Sequence, residues 1–226
     1  MAFLVVLDVD STLIENEVIE LIAEEAGSLT QVAEVTFRAM NGEIDFAESL
    51  RERVATLAGL SVAALERVQE RVVITRGVAE LVAGVHAAGG RIGVVSGGFH
   101  EIIDPIAERL GLDFCRANRL AVADGRLTGL VDGAIVDAEA KADALREWAN
   151  ESGIELRSTI AVGDGANDLR MMAAAGLSVA FDAKEPVRQA ADVILDVRDL
   201  SQVLALMGLG SPRTAQHQRA AGLAGL

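Results

Sequence analysis

Three short runs of apolar residues, each followed at once by small or acidic residues, constrain this 226-residue chain most strongly. They predict strands at residues 3–7, 91–95 and 158–162, with shorter candidates at 177–181 and 192–195. Continuous apolar runs of this length are typical of strands in a parallel sheet that helices cover on both faces. The sequence therefore predicts an open parallel sheet.

Helical periodicity fills the intervals between these strands. It predicts helices over 78–88, 101–110, 139–151, 168–175 and 186–190. Strands that alternate with helices indicate an α/β fold with a doubly wound, Rossmann-like parallel sheet. Residues 119–131 differ, because apolar and polar residues alternate there around an Asp-Gly pair, and this pattern predicts a β-hairpin.

The interval between the first two strands, residues 8–90, is far longer than one crossover helix needs. Helical patterns run through it, at 17–26, 30–40, 46–57 and 62–72. We therefore predict a helical cap domain over 16–75, inserted into a core formed by 1–15 and 76–207. The small and polar residues of 208–226 show no periodicity, which predicts a mobile tail.

The charge of the chain limits its partners. With 34 acidic and 20 basic side chains, the net charge is −14, which argues against binding to nucleic acid or to an anionic membrane. No apolar run has the length of a membrane-spanning helix, and the first residues lack the pattern of an export signal. The single cysteine, Cys115, cannot form an internal disulfide. We expect a cytoplasmic protein, a monomer or a homodimer, that acts on a small molecule.

Acidic residues gather where the predicted strands end. Asp8 and Asp10 follow the first strand, and Asp164 and Asp168 follow the third. In an open parallel sheet these ends lie at one edge, which is where ligands bind. Carboxylates brought together repel one another unless they hold a cation, and oxygen ligands of this kind suit Mg²⁺.

Further residues in these positions suit phosphate chemistry. Asp8 and Asp10 can serve as a nucleophile and a general acid/base. Residues 96–98, Ser-Gly-Gly, offer a hydroxyl and unhindered N–H groups to an anion. Lys141 opposes the dipole of the helix that it begins, so helix stability does not explain it, and it can supply a point charge to phosphate. Helix caps, a turn and a solvated lysine are the ordinary structural alternatives.

Taken in order, these motifs resemble the haloacid dehalogenase superfamily over about residues 1–207. The motifs that carry the resemblance are DVDST (8–12), SGG (96–98), Lys141 and GDGAND (163–168). Two stretches of the predicted cap, IENEVIELIAEEAG (14–27) and FAESLRERV (46–54), are similar to the phosphoserine phosphatase branch of that superfamily.

The resemblance implies a role for each acidic residue at the sheet edge. Asp8 would attack phosphorus and become an aspartyl phosphate. Asp10 would protonate the leaving oxygen and then activate water. Asp8, the backbone carbonyl of Asp10 and Asp164 would hold Mg²⁺, with Asp168 supporting them.

The remaining roles that the resemblance implies concern phosphate and substrate binding. Phosphoryl oxygens would be bound by Ser96, the Gly97 backbone and Lys141, with Asn167 orienting the phosphate. In the cap, Glu17 would meet a substrate ammonium and Arg53 a carboxylate, while Met40 and Phe46 would close the pocket. By composition alone, Glu17 and Arg53 are more typical of a solvated helix face than of a binding site, and Met40 and Phe46 are more typical of a core.

The expected function is the Mg²⁺-dependent hydrolysis of O-phospho-L-serine to L-serine and phosphate, a step of serine synthesis. Two alternatives keep the same chemistry: transfer of the phosphoryl group to homoserine, and hydrolysis of another small phosphomonoester. A non-catalytic phospho-acceptor switch is a remote alternative. An acid/base group at Asp10 and a long cap both argue against it.

Overall fold

A seven-stranded sheet forms the centre of the computed structural model, which describes residues 2–209. The strands are β1 Leu4–Leu7, β2 Arg91–Phe99, β3 Phe114–Ala123, β4 Arg126–Asp132, β5 Thr159–Gly163, β6 Leu177–Phe181 and β7 Val193–Leu195. Their order across the sheet is β4-β3-β2-β1-β5-β6-β7. Every neighbouring pair is parallel except β3 and β4, which are antiparallel. The prediction of a doubly wound α/β fold is confirmed.

Ten α-helices accompany the strands in the described part of the chain. They are α1 Val18–Ala26, α2 Leu29–Met40, α3 Phe46–Ala55, α4 Ala63–Arg71, α5 Val78–Ala87, α6 His100–Leu110, α7 Ala138–Glu151, α8 Leu169–Ala174, α9 Glu185–Ala190 and α10 Val203–Leu206. Among these helices, none has the length and apolar surface needed to cross a membrane. The tail predicted over 208–226 lies, from residue 210 onward, outside the described residues.

Helices cover the sheet on both faces, as the apolar runs predict. Val5 and Leu7 of β1 belong to one buried apolar cluster, and Leu4 and Val6 belong to a second cluster with Trp148 of α7. All four side chains of β1 are fully buried. Because successive residues of a strand point to opposite faces, this central strand is apolar throughout.

The sheet differs from the prediction at its second and third strands. The strand expected at 91–95 continues to Phe99, with an irregular register between Val95 and Phe99. The hairpin expected at 119–131 is present, with pairs from Arg119–Asp132 to Ala123–Arg126, but its first strand, β3, begins earlier, at Phe114. The first half of β3 pairs with β2 and its second half pairs with β4. Polar residues in this stretch break the apolar pattern on which the prediction depended.

Helices α1 to α4 form a layer of their own between β1 and α5. The two chain segments that lead into and out of this layer run side by side, with Ile14 paired to Ile74. The N–H of Glu15 donates to the carbonyl of Val73 at 2.9 Å, and the N–H of Thr75 donates to that of Leu13 at 3.0 Å. The insert therefore leaves and rejoins the sheet at one place.

A second attachment joins this helical layer to the β3–β4 hairpin. The N–H of Gly59, in the loop between α3 and α4, donates to the carbonyl of Leu127 at 2.8 Å. In return, the N–H of Leu127 donates to the carbonyl of Leu60 at 2.8 Å. The first part of the outer edge of β4 is thereby paired, which shortens the stretch of open edge that another chain could pair with.

Candidate active site

The carboxyl ends of β1, β2 and β5 meet the helical layer at a cavity of about 140 Å³. This arrangement brings most of the predicted site residues to one place. The lining residues are Asp8, Asp10, Glu17, Ile19, Phe46, Leu50, Arg53, Gly97, Gly98, Asp164, Gly165, Asn167 and Lys184. Acidic side chains outnumber basic ones in this set, so the cavity suits a cation and a ligand that brings its own positive charge.

Lys141 lies beneath the cavity and joins two of the acids. Its Nζ donates to Oδ1 of Asp8 at 2.6 Å and to Oδ1 of Asp168 at 2.7 Å. The side chain of Lys141 is 1% exposed and that of Asp168 is 0% exposed. The second oxygen of Asp168, Oδ2, accepts the N–H of Gly165 at 3.1 Å. Asp168 therefore fixes both the lysine and the backbone of the turn after β5.

The charged groups of this cluster shift the pKa values of Asp8 and Lys141. Burial and the neighbouring Asp168 raise the pKa of Asp8 well above its usual value, although Lys141 works in the opposite direction. Burial by itself lowers the pKa of Lys141, but the carboxylates of Asp168 and Asp8 outweigh it and raise that pKa. The two carboxylates therefore favour the charged form of Lys141, and added positive charge beside Asp8 would favour its ionised form.

Asp10 has the surroundings of a general acid. Its Oδ1 accepts the N–H of Val18, at the start of α1, at 2.7 Å, and its Oδ2 accepts the hydroxyl of Ser96 at 3.2 Å. Burial and the charge of Glu17 raise the pKa of Asp10 to about 7, despite these two hydrogen bonds. A carboxyl group with this pKa exchanges protons readily near neutral pH.

Asp164 completes a group of acids that can hold a metal ion. Carboxylate oxygens of Asp8, Asp164 and Asp168 all lie within 4.8 Å of one another. Burial and the charge of Asp168 raise the pKa of Asp164 to about 6. These oxygens are the ligand type that Mg²⁺ prefers, and a dication among them relieves the repulsion between the carboxylates. The residues present thus fit a hard divalent cation.

Side chains pack closely against both glycines of the Ser-Gly-Gly segment. The hydroxyl of Ser96 accepts the N–H of Gly98 at 2.8 Å, and Ser96 is fully buried. A Cβ placed on Gly97 would lie 3.0 Å from the ring of Phe46, and one on Gly98 would lie 3.0 Å from Oδ2 of Asp10. A larger residue at either position would force the ring of Phe46 or the carboxylate of Asp10 to shift by a few tenths of an ångström.

Two residues of the helical layer bring opposite charges to the cavity. Glu17, the residue before α1, is exposed and accepts the hydroxyl of Ser11 at 2.7 Å. Arg53 of α3 is half-buried, and its Nε donates to the carbonyl of Ser49 at 3.3 Å. Burial lowers the pKa of Arg53, an effect that the charges of Glu17, Asp10 and Glu20 oppose. A carboxylate and a guanidinium thus face the same small space.

The structure does not bring every predicted residue into the cavity. Ser96, Lys141 and Asp168 lie behind the residues that line it. Met40, expected to close the pocket, is 73% exposed at the end of α2. It borders a neighbouring space that also contacts Phe46 and Arg53. In this conformation Phe46 alone of the two reaches the cavity.

Lys184 lines the cavity although the sequence analysis did not select it. It precedes α9, and its N–H donates to the carbonyl of Asp164 at 3.2 Å. The charge of Lys184 acts on Asp164 to lower the pKa that burial raises. A basic residue three positions after the apolar run at 177–181 was the available signal. The predicted site rests on the ends of the first three strands alone.

A second group of possible ligands, His100, Asp104 and Cys115, lies apart from this cavity. Nε2 of His100 accepts the N–H of Ala117 at 3.1 Å, so its proton is on Nδ1, which donates to Asp104 at 2.6 Å. Burial and Asp104 raise the pKa of Cys115 to about 12, so the thiol stays protonated. The imidazole and the thiol therefore lack the free lone pair and the thiolate that a metal needs, and we assign no metal there.

Comparisons with known proteins identify relatives of this chain. The chain is 52% identical over 206 residues to a phosphoserine phosphatase of Streptomyces coelicolor, covering 91% of this chain and 50% of that protein. It is 50% identical over 201 residues to a phosphoserine phosphatase of Lactococcus lactis, covering 89% and 93%. The chain thus spans about half the length of the first relative and nearly all of the second.

A solved structure shares the fold closely. The structure of a phospho-aspartyl intermediate analogue of phosphoserine phosphatase superposes with a TM-score of 0.85 at 42% identity. The superposition covers 91% of this chain and 98% of the other. The model of the haloacid dehalogenase-like hydrolase family matches residues 5–173, which include the ends of β1, β2 and β5. This chain therefore belongs to the haloacid dehalogenase-like hydrolases.

Proposed function

We propose that this chain is a Mg²⁺-dependent phosphoserine phosphatase that hydrolyses O-phospho-L-serine through an aspartyl phosphate. The observation that carries the proposal is that Glu17 and Arg53 line the same cavity as Asp8 and Asp164. An amino-acid headgroup has one cation and one anion, which match this carboxylate and guanidinium. Curated relatives with this name, about half identical to this chain, support the same substrate.

The residues of the cluster divide the reaction between them. An oxygen of Asp8 attacks phosphorus, and the bond from phosphorus to the serine oxygen breaks. Asp10 gives its proton to that oxygen, then takes one from the water that attacks the aspartyl phosphate and regenerates Asp8. Mg²⁺, held by Asp8, the Asp10 carbonyl and Asp164 with support from Asp168, would neutralise charge on the phosphoryl oxygens.

The other residues of the site position the phosphoryl group. Lys141 contacts Asp8 directly, so its charge lies beside the phosphorus that Asp8 attacks. The hydroxyl of Ser96, the N–H of Gly97 and the side chain of Asn167 would complete the contacts to phosphoryl oxygens. Pre-arranged donors of this kind are the main source of catalysis in phosphoryl transfer.

The helical layer acts as the cap of this site in our proposal, with the cap over 16–75 and the core over 1–15 and 76–207. Two facts support the division: the linkers pair at Ile14 and Ile74, and Phe46 lies over Gly97. The two linkers and the hydrogen bonds of Gly59 and Leu60 to Leu127 of β4 hold the cap over the site, where it can exclude water while the intermediate exists. Met40 would reach the substrate only in a more closed arrangement.

Phosphate release from L-phosphoserine tests the proposed function directly. With Mg²⁺ we expect turnover of L-phosphoserine well above that of a panel of other small phosphomonoesters, and EDTA should abolish it until Mg²⁺ is restored in excess. Homoserine should leave the yield of free phosphate unchanged. Formation of phosphohomoserine at the expense of phosphate would instead identify a phosphotransferase. Preference for another ester would show that the substrate is that ester and not phosphoserine.

Substitution of Arg53 should affect substrate selection more than chemistry. For Arg53→Gln we expect kcat/KM for phosphoserine to fall by roughly 10–100-fold, because a charge-assisted contact to the carboxylate is lost. O-phosphoethanolamine, which has the ammonium but no carboxylate, should be hydrolysed about as well as by the unchanged protein. Arg51→Gln, an exposed change on the same helix, is the matched control and should behave as the unchanged protein does. Equal losses on both substrates would remove Arg53 from carboxylate binding.

The other expectations from the sequence stay predictions. These are the cytoplasmic location and the choice between a monomer and a homodimer. The partner that we propose is the substrate itself, a small anionic molecule with an ammonium group.

A further inference from the structure

The side chain of Arg198 contacts two of the non-glycine residues that have a left-handed backbone conformation. Within residues 2–209, the non-glycine residues with left-handed φ are Ser11 at 56°, Asp124 at 49° and Asp182 at 44°. Asp124 belongs to the turn between β3 and β4. The other two both accept hydrogen bonds from Arg198: its Nη1 donates to Oδ2 of Asp182 at 2.7 Å, and its Nη2 donates to the carbonyl of Ser11 at 3.0 Å.

Ser11 is part of the loop that carries the proposed catalytic acids. A left-handed φ is disfavoured for a residue with a Cβ, and it persists only where the surroundings fix it. All three polar groups of Ser11 are engaged. Its N–H donates to the carbonyl of Asn16 at 3.2 Å, its hydroxyl donates to Glu17 at 2.7 Å, and its carbonyl accepts from Arg198.

These contacts make a path from Arg198 to the cavity. Arg198 is not among the residues that line the cavity, but Glu17 is. The guanidinium fixes the carbonyl of Ser11, and the resulting turn directs the Ser11 hydroxyl to the carboxylate of Glu17. The guanidinium is itself oriented on its other side by Asp182 and lies 5.8 Å from the ring centre of Phe181. Arg198 thus has a fixed position from which to hold the turn.

We propose that Arg198 is a positioning residue for substrate recognition, acting through the left-handed turn at Ser11 to set the orientation of Glu17. The inference rests on the proposed function, in which Glu17 meets the ammonium of phosphoserine. It assigns Arg198 to selection for the amino group, and not to the transfer of the phosphoryl group. A residue far along the chain would thereby take part in specificity without touching the substrate.

The test compares two substrates that differ in the ammonium group alone. These are O-phospho-L-serine and 3-(phosphonooxy)propanoate, measured with Mg²⁺ for each variant. For Arg198→Gln we expect KM for phosphoserine to rise by about tenfold, the size of a lost hydrogen bond to a charged group. The KM for the analogue and both kcat values should change little. Arg188→Gln is the matched control, because Arg188 pairs with Asp196 on the neighbouring surface, and it should change neither KM.

A double substitution tests the route through Glu17. If Arg198 acts through Glu17, Arg198→Gln should add little further loss of selectivity to Glu17→Gln. Asp182→Asn gives a second way to disturb Arg198, since asparagine tolerates a left-handed φ but no longer supplies the charge that orients the guanidinium. We expect the same change of KM, smaller in size, and this variant serves as the test if Arg198→Gln does not fold.

The outcomes separate this inference from the proposed function. Equal losses on both substrates, or fully additive effects of Arg198→Gln and Glu17→Gln, would overturn the positioning role. An unchanged KM for phosphoserine in Arg198→Gln would do the same. If the unchanged protein shows no preference for phosphoserine over the analogue, the proposed function fails instead.

Discussion

Asp8→Asn should reduce turnover of phosphoserine by on the order of 10⁵-fold, the scale at which loss of a nucleophile acts in other enzymes. The substituted amide keeps the size of the side chain but does not attack phosphorus as a carboxylate does. The measurement is phosphate release under saturating substrate, with a single-turnover assay for a phosphorylated protein. Asp143→Asn, an exposed change on α7, is the matched control and should leave turnover unchanged.

The same substitution should leave the fold intact, which separates chemistry from stability. Burial and Asp168 raise the pKa of Asp8, so the native state holds a proton there more tightly than the unfolded chain does. In EDTA, the free energy of unfolding should therefore fall as pH rises above the usual carboxyl pKa, and less steeply in Asp8→Asn. Mg²⁺ should raise the melting temperature of the unchanged protein more than that of Asp8→Asn. An active Asp8→Asn protein would contradict the covalent mechanism.

Lys141→Met should cost both stability and activity. It leaves Asp8 and Asp168 buried without the cation that both of them contact. Removal of one partner from a buried ionic group costs about 3–5 kcal/mol, which lowers the melting temperature of a chain of this size by roughly 10 °C. Turnover should fall by about 10³-fold, because a fixed charge beside the attacked phosphorus is lost. Thermal unfolding in EDTA and phosphate release measure the two effects.

A second change distinguishes the two losses. Asp168→Asn, added to Lys141→Met, removes one of the uncompensated charges and keeps an oxygen for the N–H of Gly165. Much of the lost stability should return, while turnover should not. Unchanged stability in the single Lys141→Met variant would show that the cluster does not need its lysine.

The parts of this molecule that could be predicted from sequence depend on local pattern and on one rule of topology. Apolar runs locate β1, β2 and β5, and the carboxyl ends of parallel strands share an edge, so Asp8, Ser96 and Asp164 were expected to meet there. Asp8 and Asp164 do lie within reach of one cation, and the hydroxyl of Ser96 donates to Asp10. Their catalytic roles stay predictions until they are tested by substitution.

Other features depend on contacts between distant segments, which a single sequence does not specify. The start of α7 indicates nothing about Asp168, yet Lys141 is buried between Asp168 and Asp8. Arg198 and Ser11 are likewise far apart in sequence and joined in the structure. Met40 shows the reverse: a resemblance placed it over the pocket, while its side chain is largely exposed here. The position and contacts of such residues are set by the tertiary fold and not by local sequence.

The position of β1 at the centre of the sheet has a consequence for how the protein is made. Its two partners, β2 and β5, both follow later in the chain, and β5 comes after most of it. During synthesis at 5–20 residues per second, the apolar β1 emerges first and waits on the order of ten seconds for β5. Helices α1 to α4 need only nearby residues and can form in that interval. Helices α1 to α4 can thus assemble before β1 is paired on both sides, and until then the apolar side chains of β1 lack the partners that bury them in the native sheet.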